Sequence, residues 1–434
     1  MKHNSTHKPR ASCLSPSRRD FLKTSAAAAA GAALAQAVAA RAYAAGNDVL
    51  RVGLVGCGGR GSGAAVQALN ADPNVKLVAM ADAFKDRLEV SLAGLQKSPL
   101  GKKVEVDGDH QFTGFDACKK LVDSGVDVVL LATSPHFRPM HLKACVDAGK
   151  HVFCEKPVAV DAPGVRAVLQ TCEEAGKKNL SIVSGLCYRY QPAKREMMAR
   201  VHDGAIGEIK ALHCVFNIGG LWKKDRKPEW SDMEWQMRNW LYFTWLSGDF
   251  IVEQHVHSLD KMAWAMKGEY PAKVTGMGGR QARTGPEWGH IYDHFFSVFE
   301  YANGVKIFSS CRQQERCDSL VNDYLIGAKG TCIVHDHKIT GETPWQFSGK
   351  ELDLYQSEHN ELFQSIRAGK PINNGEYMAK STLMAIMARM SAYTGKVLTW
   401  DQALNSKEDL SPAKYEWGPL PVAPVAVPGV TVFK

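Results

Sequence analysis

The run Leu50-Arg51-Val52-Gly53-Leu54-Val55 feeds without a break into Gly56-Cys57-Gly58-Gly59-Arg60-Gly61, and this junction constrains the chain more than any other feature. A short β-branched strand ending in G-x-G-x-x-G is expected to turn sharply and open a helix. Residues 62–70 read as that helix, with Ala65, Val66 and Leu69 on one side. A second strand, Val75-Lys76-Leu77-Val78-Ala79-Met80, then leads to Asp82, which lies 21 residues beyond Gly61. In this order Gly56 permits the tight turn, Gly58 admits a pyrophosphate close to the backbone, and Gly61 allows close helix packing. The helix N-terminus adds a field that favours phosphate. Gly59 and Arg60 complete the loop. Asp82 is placed to accept hydrogen bonds from an adenosine ribose, and its charge repels a 2′-phosphate, so NAD is expected in preference to NADP. Lys85 and Arg87 keep NADP open as the second possibility.

Further strands follow at 126–131 and at His151-Val152-Phe153-Cys154, the latter after a helix over 141–148. Together these make a Rossmann-type α/β domain, in which ligands bind at the carboxyl ends of the strands. Those ends carry Thr133-Ser134-Pro135-His136 and Glu155-Lys156-Pro157, which adds Thr133, Pro135, His136, Glu155 and Lys156 to the expected cofactor-binding residues. At 434 residues the chain is too long for one ordinary domain.

The N-terminus reads as an address. Ser17-Arg18-Arg19-Asp20-Phe21-Leu22-Lys23 precedes an uncharged, alanine-dominated stretch over 24–40, the pattern of a twin-arginine signal peptide. Alanine contributes little transfer energy, so no stable membrane anchor is expected. Ala37-Val38-Ala39 and Ala42-Tyr43-Ala44 offer cleavage sites, the second preferred. The first 45 residues hold seven basic side chains against one acid, so the formal +8 of the whole chain falls to +2 once they are removed. A nearly neutral mature chain gives no electrostatic reason to expect nucleic acid as a partner. Of eleven cysteines, none shows zinc spacing. Folding before export, in a reducing cytoplasm, makes buried free thiols the expectation, with Cys311 and Cys317 the pair to watch.

With these motifs assembled, the chain resembles the Gfo/Idh/MocA family, relatives of glucose-fructose oxidoreductase and inositol dehydrogenase. The resemblance rests on Gly56 to Gly61, on Ala132-Thr133-Ser134-Pro135-His136, on Gly149-Lys150-His151-Val152-Phe153-Cys154-Glu155-Lys156-Pro157, and on Glu253-Gln254-His255-Val256-His257-Ser258-Leu259-Asp260. It implies an α+β second domain with a large, mostly antiparallel open sheet, through whose open face members commonly form homo-oligomers. The strand patterns Ile209–Ile218 and Lys273–Gly279, with 295–300 and 305–310 flanking the turn residues Asn303-Gly304, agree independently. So do 324–326 and 331–335. The expected division is a signal peptide over 1–45, an NAD(P)-binding domain over 48–170, a substrate and oligomerisation domain over 171–420, and a tail over 421–434.

The resemblance also puts Lys156 beside the nicotinamide and the substrate hydroxyl, with Pro157 in a cis bond. After Ser247-Gly248-Asp249 a helix is expected, on which Glu253, His257 and Asp260 share one face. His257 is read as the general acid/base, Glu253 as orienting substrate or assisting proton transfer, and Asp260 as binding a substrate hydroxyl. Relatives keep aspartate where this chain has Glu253. His255 points off that face and reads as a packed residue at least as well as a functional one. Tyr188 and Arg189 fall where relatives line the substrate cleft. Of Trp222, Trp230, Trp235, Trp240, Tyr242 and Trp245, one or two are expected to stack on a sugar and the rest to pack. No metal is expected, since H-E-x-x-H is absent.

Export then constrains the chemistry, because a periplasmic enzyme has no supply of free dinucleotide. The reading is an oxidoreductase acting on a secondary hydroxyl or hemiacetal of a sugar or polyol, carrying its cofactor through the twin-arginine translocase and recycling it internally. One alternative is a redox-neutral glycoside hydrolase like the family 109 enzymes, whose usual segment at the Glu-Lys-Pro position lacks this lysine. Another is a non-catalytic sugar-binding module with a structural dinucleotide, against which the joint presence of Lys156 and His257 argues.

Overall fold

Every position of β1 (Leu50–Val55) except Arg51 is buried, which suits a strand covered on both faces. A computed structural model describes Met1 and residues 48–434; the signal segment and both expected cleavage sites lie outside the described residues. β1 pairs in parallel with β2 (Val75–Asp82) on one side and β4 (Val128–Leu131) on the other. β3 (Gln111–Thr113), β5 (His151–Cys154) and β6 (Ile182–Ser184) complete a six-stranded parallel sheet in the order β3-β2-β1-β4-β5-β6. The helix after the glycine loop runs Gly59–Ala71 and is capped at Gly58, so it begins three residues before the expected start.

The expected boundary at 170 falls inside the helix Ala162–Lys177, and the first sheet continues through β6 beyond it. The chain also returns: Leu362, Phe363 and Ile366 of the helix Leu354–Arg367 join the core formed by Leu50, Leu54 and Phe153. The first layer is therefore assembled from two separate stretches of sequence.

The second sheet has nine strands in the order β14 (Trp345–Gln346), β13 (Lys338–Gly341), β12 (Gly330–Ile333), β11 (Leu320–Gly327), β7 (Ile209–Ile218), β10 (Lys306–Gln313), β9 (His294–Glu300), β8 (Lys273–Gly279) and β15 (Leu398–Thr399). Its centre is β7, β10 and β9, with β9 and β10 forming an antiparallel pair across Asn303-Gly304. Gly304 has φ +86, as such a turn requires. Only the β7–β10 pair is parallel. Helices Val256–Ala265 and Gly375–Thr394 cover one face. The other face leaves Met277, Phe296, Phe308, Leu320 and Ile326 exposed. Gly375–Thr394 is buried on nearly all sides, since the helix Ala162–Lys177 packs on it from the first domain and β8 (Lys273–Gly279) from the second. The tail is docked too: the Lys434 carbonyl accepts from Ser406 Oγ at 2.6 Å. All ten described cysteines are free thiols; Cys317 is exposed and the others, Cys311 included, are buried. Among the described residues no helix is long and apolar enough to cross a membrane.

Two glycines of the loop are dictated by close approach. Gly56 has φ +96, and a Cβ there would sit 2.6 Å from the Thr133 nitrogen, while a Cβ on Gly61 would sit 1.8 Å from the Gly56 oxygen. Gly61→Ala should therefore cost about 1–3 kcal/mol through overpacking, read as a lowered urea midpoint. An unchanged midpoint would mean that the turn yields freely.

Candidate active site

The carboxyl ends of β1, β2, β4 and β5 open into a cleft of ≈ 1330 Å³ whose far wall is Tyr188, Glu253 and His257. That volume exceeds the few hundred to about 1,000 Å³ usual for one drug-sized ligand, so the cleft has room for a dinucleotide and a second molecule together. A Cβ on Gly58 would meet only Arg87 Nη1, at 3.7 Å, and one on Gly59 would meet nothing within 4 Å. The loop is thus packed tight behind, at Gly56 and Gly61, and open in front, where a pyrophosphate would lie against the helix N-terminus. Asp82 ends β2 with Oδ2 accepting from the Cys57 N–H at 2.7 Å and Oδ1 from the Phe84 N–H at 2.9 Å. Burial raises its carboxyl above the usual range, against the pull of those two N–H groups. These residues fit a nicotinamide dinucleotide.

Not every expected contact is on the cleft wall. Thr133 lines it, but Pro135 and His136 do not. The His136 ring is buried, with Nε2 2.8 Å from the Tyr415 hydroxyl and its centroid 5.0 Å from that of the Trp245 ring in an edge-on arrangement, and Phe137 takes the place at the wall. Arg60 reaches the wall, yet its guanidinium is committed to Glu155, to Glu358 at 3.2 Å and to Gln67 at 2.8 Å. It is a positioning residue for Glu155, whose Oε2 accepts from the Lys156 N–H at 3.1 Å.

Lys156 leaves the end of β5 before a cis bond to Pro157. Its Nζ lies 3.0 Å from Glu253 Oε1 and 2.6 Å from the Glu253 carbonyl oxygen. That carbonyl is free because the expected single helix is broken: one short helix ends at Glu253, and the next runs Val256–Ala265. His257, on the second helix, stands edge-on to Tyr188 with ring centroids 5.2 Å apart. Its Nδ1 is buried without a hydrogen-bond partner. Burial, aided by the charges of Lys156 and Lys261, holds its imidazole well below the ordinary histidine range, so it is neutral at neutral pH.

Asp260 and Arg189, expected at the substrate, are bonded to each other instead of facing the cleft. Asp260 Oδ2 accepts from Arg189 Nε at 2.9 Å, and Oδ1 accepts from Arg189 Nη2 at 2.8 Å and Ser381 Oγ at 2.8 Å. The guanidinium lies 4.1 Å from the Tyr377 ring and 5.2 Å from Trp264. Neither residue lines the cleft. The helix break and a two-pronged ion pair turn them into a strut behind it. His255 is packed, its Nε2 2.7 Å from Ser309 Oγ. Trp222, Trp230 and Trp240 line the cleft, whereas Trp235, Tyr242 and Trp245 are core. No group of three metal-ligating side chains occurs among the described residues.

Sequence reasoning missed Arg138. It is buried, donates from Nη1 to the Pro157 carbonyl at 2.5 Å and from Nη2 to the Thr133 carbonyl at 2.6 Å, and so ties the two strand ends that frame the cleft. Its place at the start of the helix after β4, beside Pro139, gave no signal of this.

This geometry, a glycine-rich dinucleotide cradle facing a lysine and a neutral histidine across one cleft, defines a two-domain protein of the Rossmann dinucleotide-binding class. Residues 50–183 match the oxidoreductase family with an NAD-binding Rossmann fold, and 195–333 match the GFO/IDH/MocA C-terminal domain. The chain belongs to the GFO/IDH/MocA family. Residues 15–35 match the twin-arginine translocation signal sequence, which marks the chain for export. Among curated relatives, 2,7-anhydro-N-acetylneuraminate hydratase of Escherichia coli K12 is 29% identical over 41% of this chain and 44% of its own length. Inositol 2-dehydrogenase 3 of Saccharopolyspora erythraea is 24% identical over 67% and 75%. The match thus spans less than half of the hydratase. Among solved structures, the aldose-aldose oxidoreductase of Caulobacter crescentus has the same fold, with a TM-score of 0.62 and 17% identity over 81% of this chain and 99% of that one.

Burial holds His136, His141, His255 and His290 at about 4. Unfolded histidines take up protons below about 6.5, whereas these stay neutral until about 4. Unfolding therefore consumes protons in that window, and stability is lost as pH falls from 6.5 towards 4. Carboxyls raised by burial, Asp249 to about 6 and Asp82, Asp161 and Glu358 upward, work in the opposite sense, but His151 and His335, also held at about 4, and His257 and His359, held well below the ordinary range, add to the first group and outnumber them. The thermal midpoint should drop steadily across this range; a flat profile would sink the argument.

Proposed function

We propose that this chain is an exported, nicotinamide-dependent oxidoreductase acting on a secondary hydroxyl or hemiacetal of a sugar or polyol, working in the periplasm with a retained cofactor. The observation that carries the reading is the meeting of Lys156 with Glu253 across the cleft, next to a neutral His257 and the open glycine loop. A bound nicotinamide supplies a hydride acceptor. Lys156 Nζ stabilises negative charge that develops on a substrate hydroxyl oxygen. His257, neutral and facing the cleft, takes the hydroxyl proton. Glu253 holds Nζ between the two domains, and the tryptophans at the wall present flat apolar faces to a sugar ring. Asp82 supports NAD over NADP. The names of the inositol dehydrogenase relative and of the aldose-aldose oxidoreductase neighbour agree with this substrate class.

Export supports recycling within one active site, since dinucleotide released in the periplasm is lost. Oxidation of one sugar coupled to reduction of a second carbonyl compound satisfies this. A redox-neutral cycle, in which a hydroxyl is oxidised, a substituent is eliminated, water adds and the ketone is reduced again, is the second reading. The hydratase relative supports it, because hydration involves no net oxidation. The apolar side chains on the open face of the second sheet suit self-association.

The test is the dinucleotide content of mature protein purified from the periplasm, before and after a panel of sugars, polyols and glycosides. Stoichiometric cofactor whose absorbance changes with a sugar or polyol supports the reading, and cleavage of a glycoside without a second sugar selects the redox-neutral cycle. Empty protein that binds NAD weakly sinks the retained cofactor. Lys156→Ala should lose about 10²–10⁴-fold in turnover while still binding dinucleotide. Gly58→Val should bind none, measured as extracted nucleotide per chain.

A further inference from the structure

Residues 405–420 leave the helix Trp400–Leu404 and run without helix or strand across the carboxyl edge of the first sheet. Their anchors follow that edge in order. The Leu410 N–H donates to Asp161 Oδ2 at 3.0 Å, beyond β5. The Tyr415 hydroxyl lies 2.8 Å from His136 Nε2, and its ring 5.8 Å from Phe137, both just after β4. The Trp417 ring lies 4.6 Å from Phe115, after β3, and 5.4 Å from Phe84, after β2. The segment is then pinned to the helix Asp232–Arg238, where the Met233 N–H donates to the Gly418 carbonyl at 3.1 Å and Gln236 Nε2 to the Leu420 carbonyl at 2.7 Å. Phe84, Phe115 and Phe137 face the cleft on their other side.

The second domain closes the same end from across the cleft. Arg238 makes a two-pronged ion pair with Asp86, both contacts at 3.0 Å, and lies 4.0 Å over the Phe84 ring. Asp82, the ribose acid of this fold, is two residues before Phe84, so both closures lie at the adenosine end of the dinucleotide site.

We infer that residues 405–420, with the Arg238–Asp86 pair, form a strap that gates release of the dinucleotide by bracing the three phenylalanines at its adenosine end. This rests on the reading that the cofactor is retained, and it names the residues responsible. The strap suits a gate because it is held at separate points: Trp417 is 45% exposed, and the segment lacks the regular hydrogen bonding that would tie its opening to global unfolding. Lifting only its middle, at Tyr415 and Trp417, breaks ring contacts, the hydrogen bond to His136 and the half-exposed Arg238–Asp86 pair, while the anchors at either end, Arg389 Nη2 on Glu408 and Gln236 Nε2 on the Leu420 carbonyl, stay made.

The strap is tested by loading the full mature chain with NAD⁺ and following its release into a chase of excess unlabelled NAD⁺. Trp417→Ala should speed release about tenfold, since ring contacts of this kind are worth roughly one factor of ten, and Asp86→Asn about two- to five-fold, the worth of a partly exposed ion pair. Lys414→Ala, an exposed change in the same segment, should release at the parent rate. Thermal midpoints near the parent value establish that the variants are folded. Release from Trp417→Ala and Asp86→Asn at the parent rate overturns the strap. A parent that itself releases NAD⁺ within seconds, with the two variants faster still, upholds the strap and overturns the retained-cofactor reading instead.

Discussion

The structure depends on a lysine that belongs to one domain and is satisfied by the other. Lys156 ends β5 of the parallel sheet, and its Nζ is held by the carbonyl and carboxylate of Glu253 from the second domain. An ammonium between two domains needs several acceptors, because a partly buried charge left unpaired is costly. The broken helix at residues 254 and 255 supplies one of them by freeing a carbonyl that an unbroken helix would have used internally.

Much of the remaining polar structure serves to hold that meeting point still. Arg138 ties the carbonyls of Thr133 and Pro157, and Arg60 holds Glu155 behind Lys156. The Asp260–Arg189 pair braces the helix that carries His257. Groups held by packing and hydrogen bonds keep their geometry when substrate arrives, which is what the proposed roles of His257 as proton acceptor and Lys156 as oxyanion-stabilising cation require. The burial that makes the site rigid also keeps His257 neutral, so one arrangement sets both position and protonation.

Legibility in the sequence followed the range of the interactions. The strand, glycine loop, helix, strand and acid from Leu50 to Asp82 were readable because each obeys a local rule, and so was the turn at Asn303-Gly304. The strands of the second sheet were readable where burial alternates, as in β9 and β10. The boundary at 170 was misplaced because the completion of the first layer comes from residues 182–184 and 354–367. His136 looked like a cofactor contact from its place after β4, but its partner Tyr415 is 279 residues away. Asp260 looked like a substrate ligand from its helical spacing, and only the packed structure brought Arg189 and Ser381 to it.

By itself, the sequence determined the dinucleotide cradle, the export signal, the lysine at the end of β5 and the candidate base four residues after Glu253. These are set by backbone geometry and by side-chain types at short spacing, which any folded form of the chain must respect. The tertiary structure decided which of the candidate groups face the cleft, which are spent on one another behind it, and that a C-terminal segment lies across the adenosine end. Those outcomes depend on residues far apart in the chain satisfying one another's hydrogen bonds and apolar surface, and no local pattern encodes that pairing.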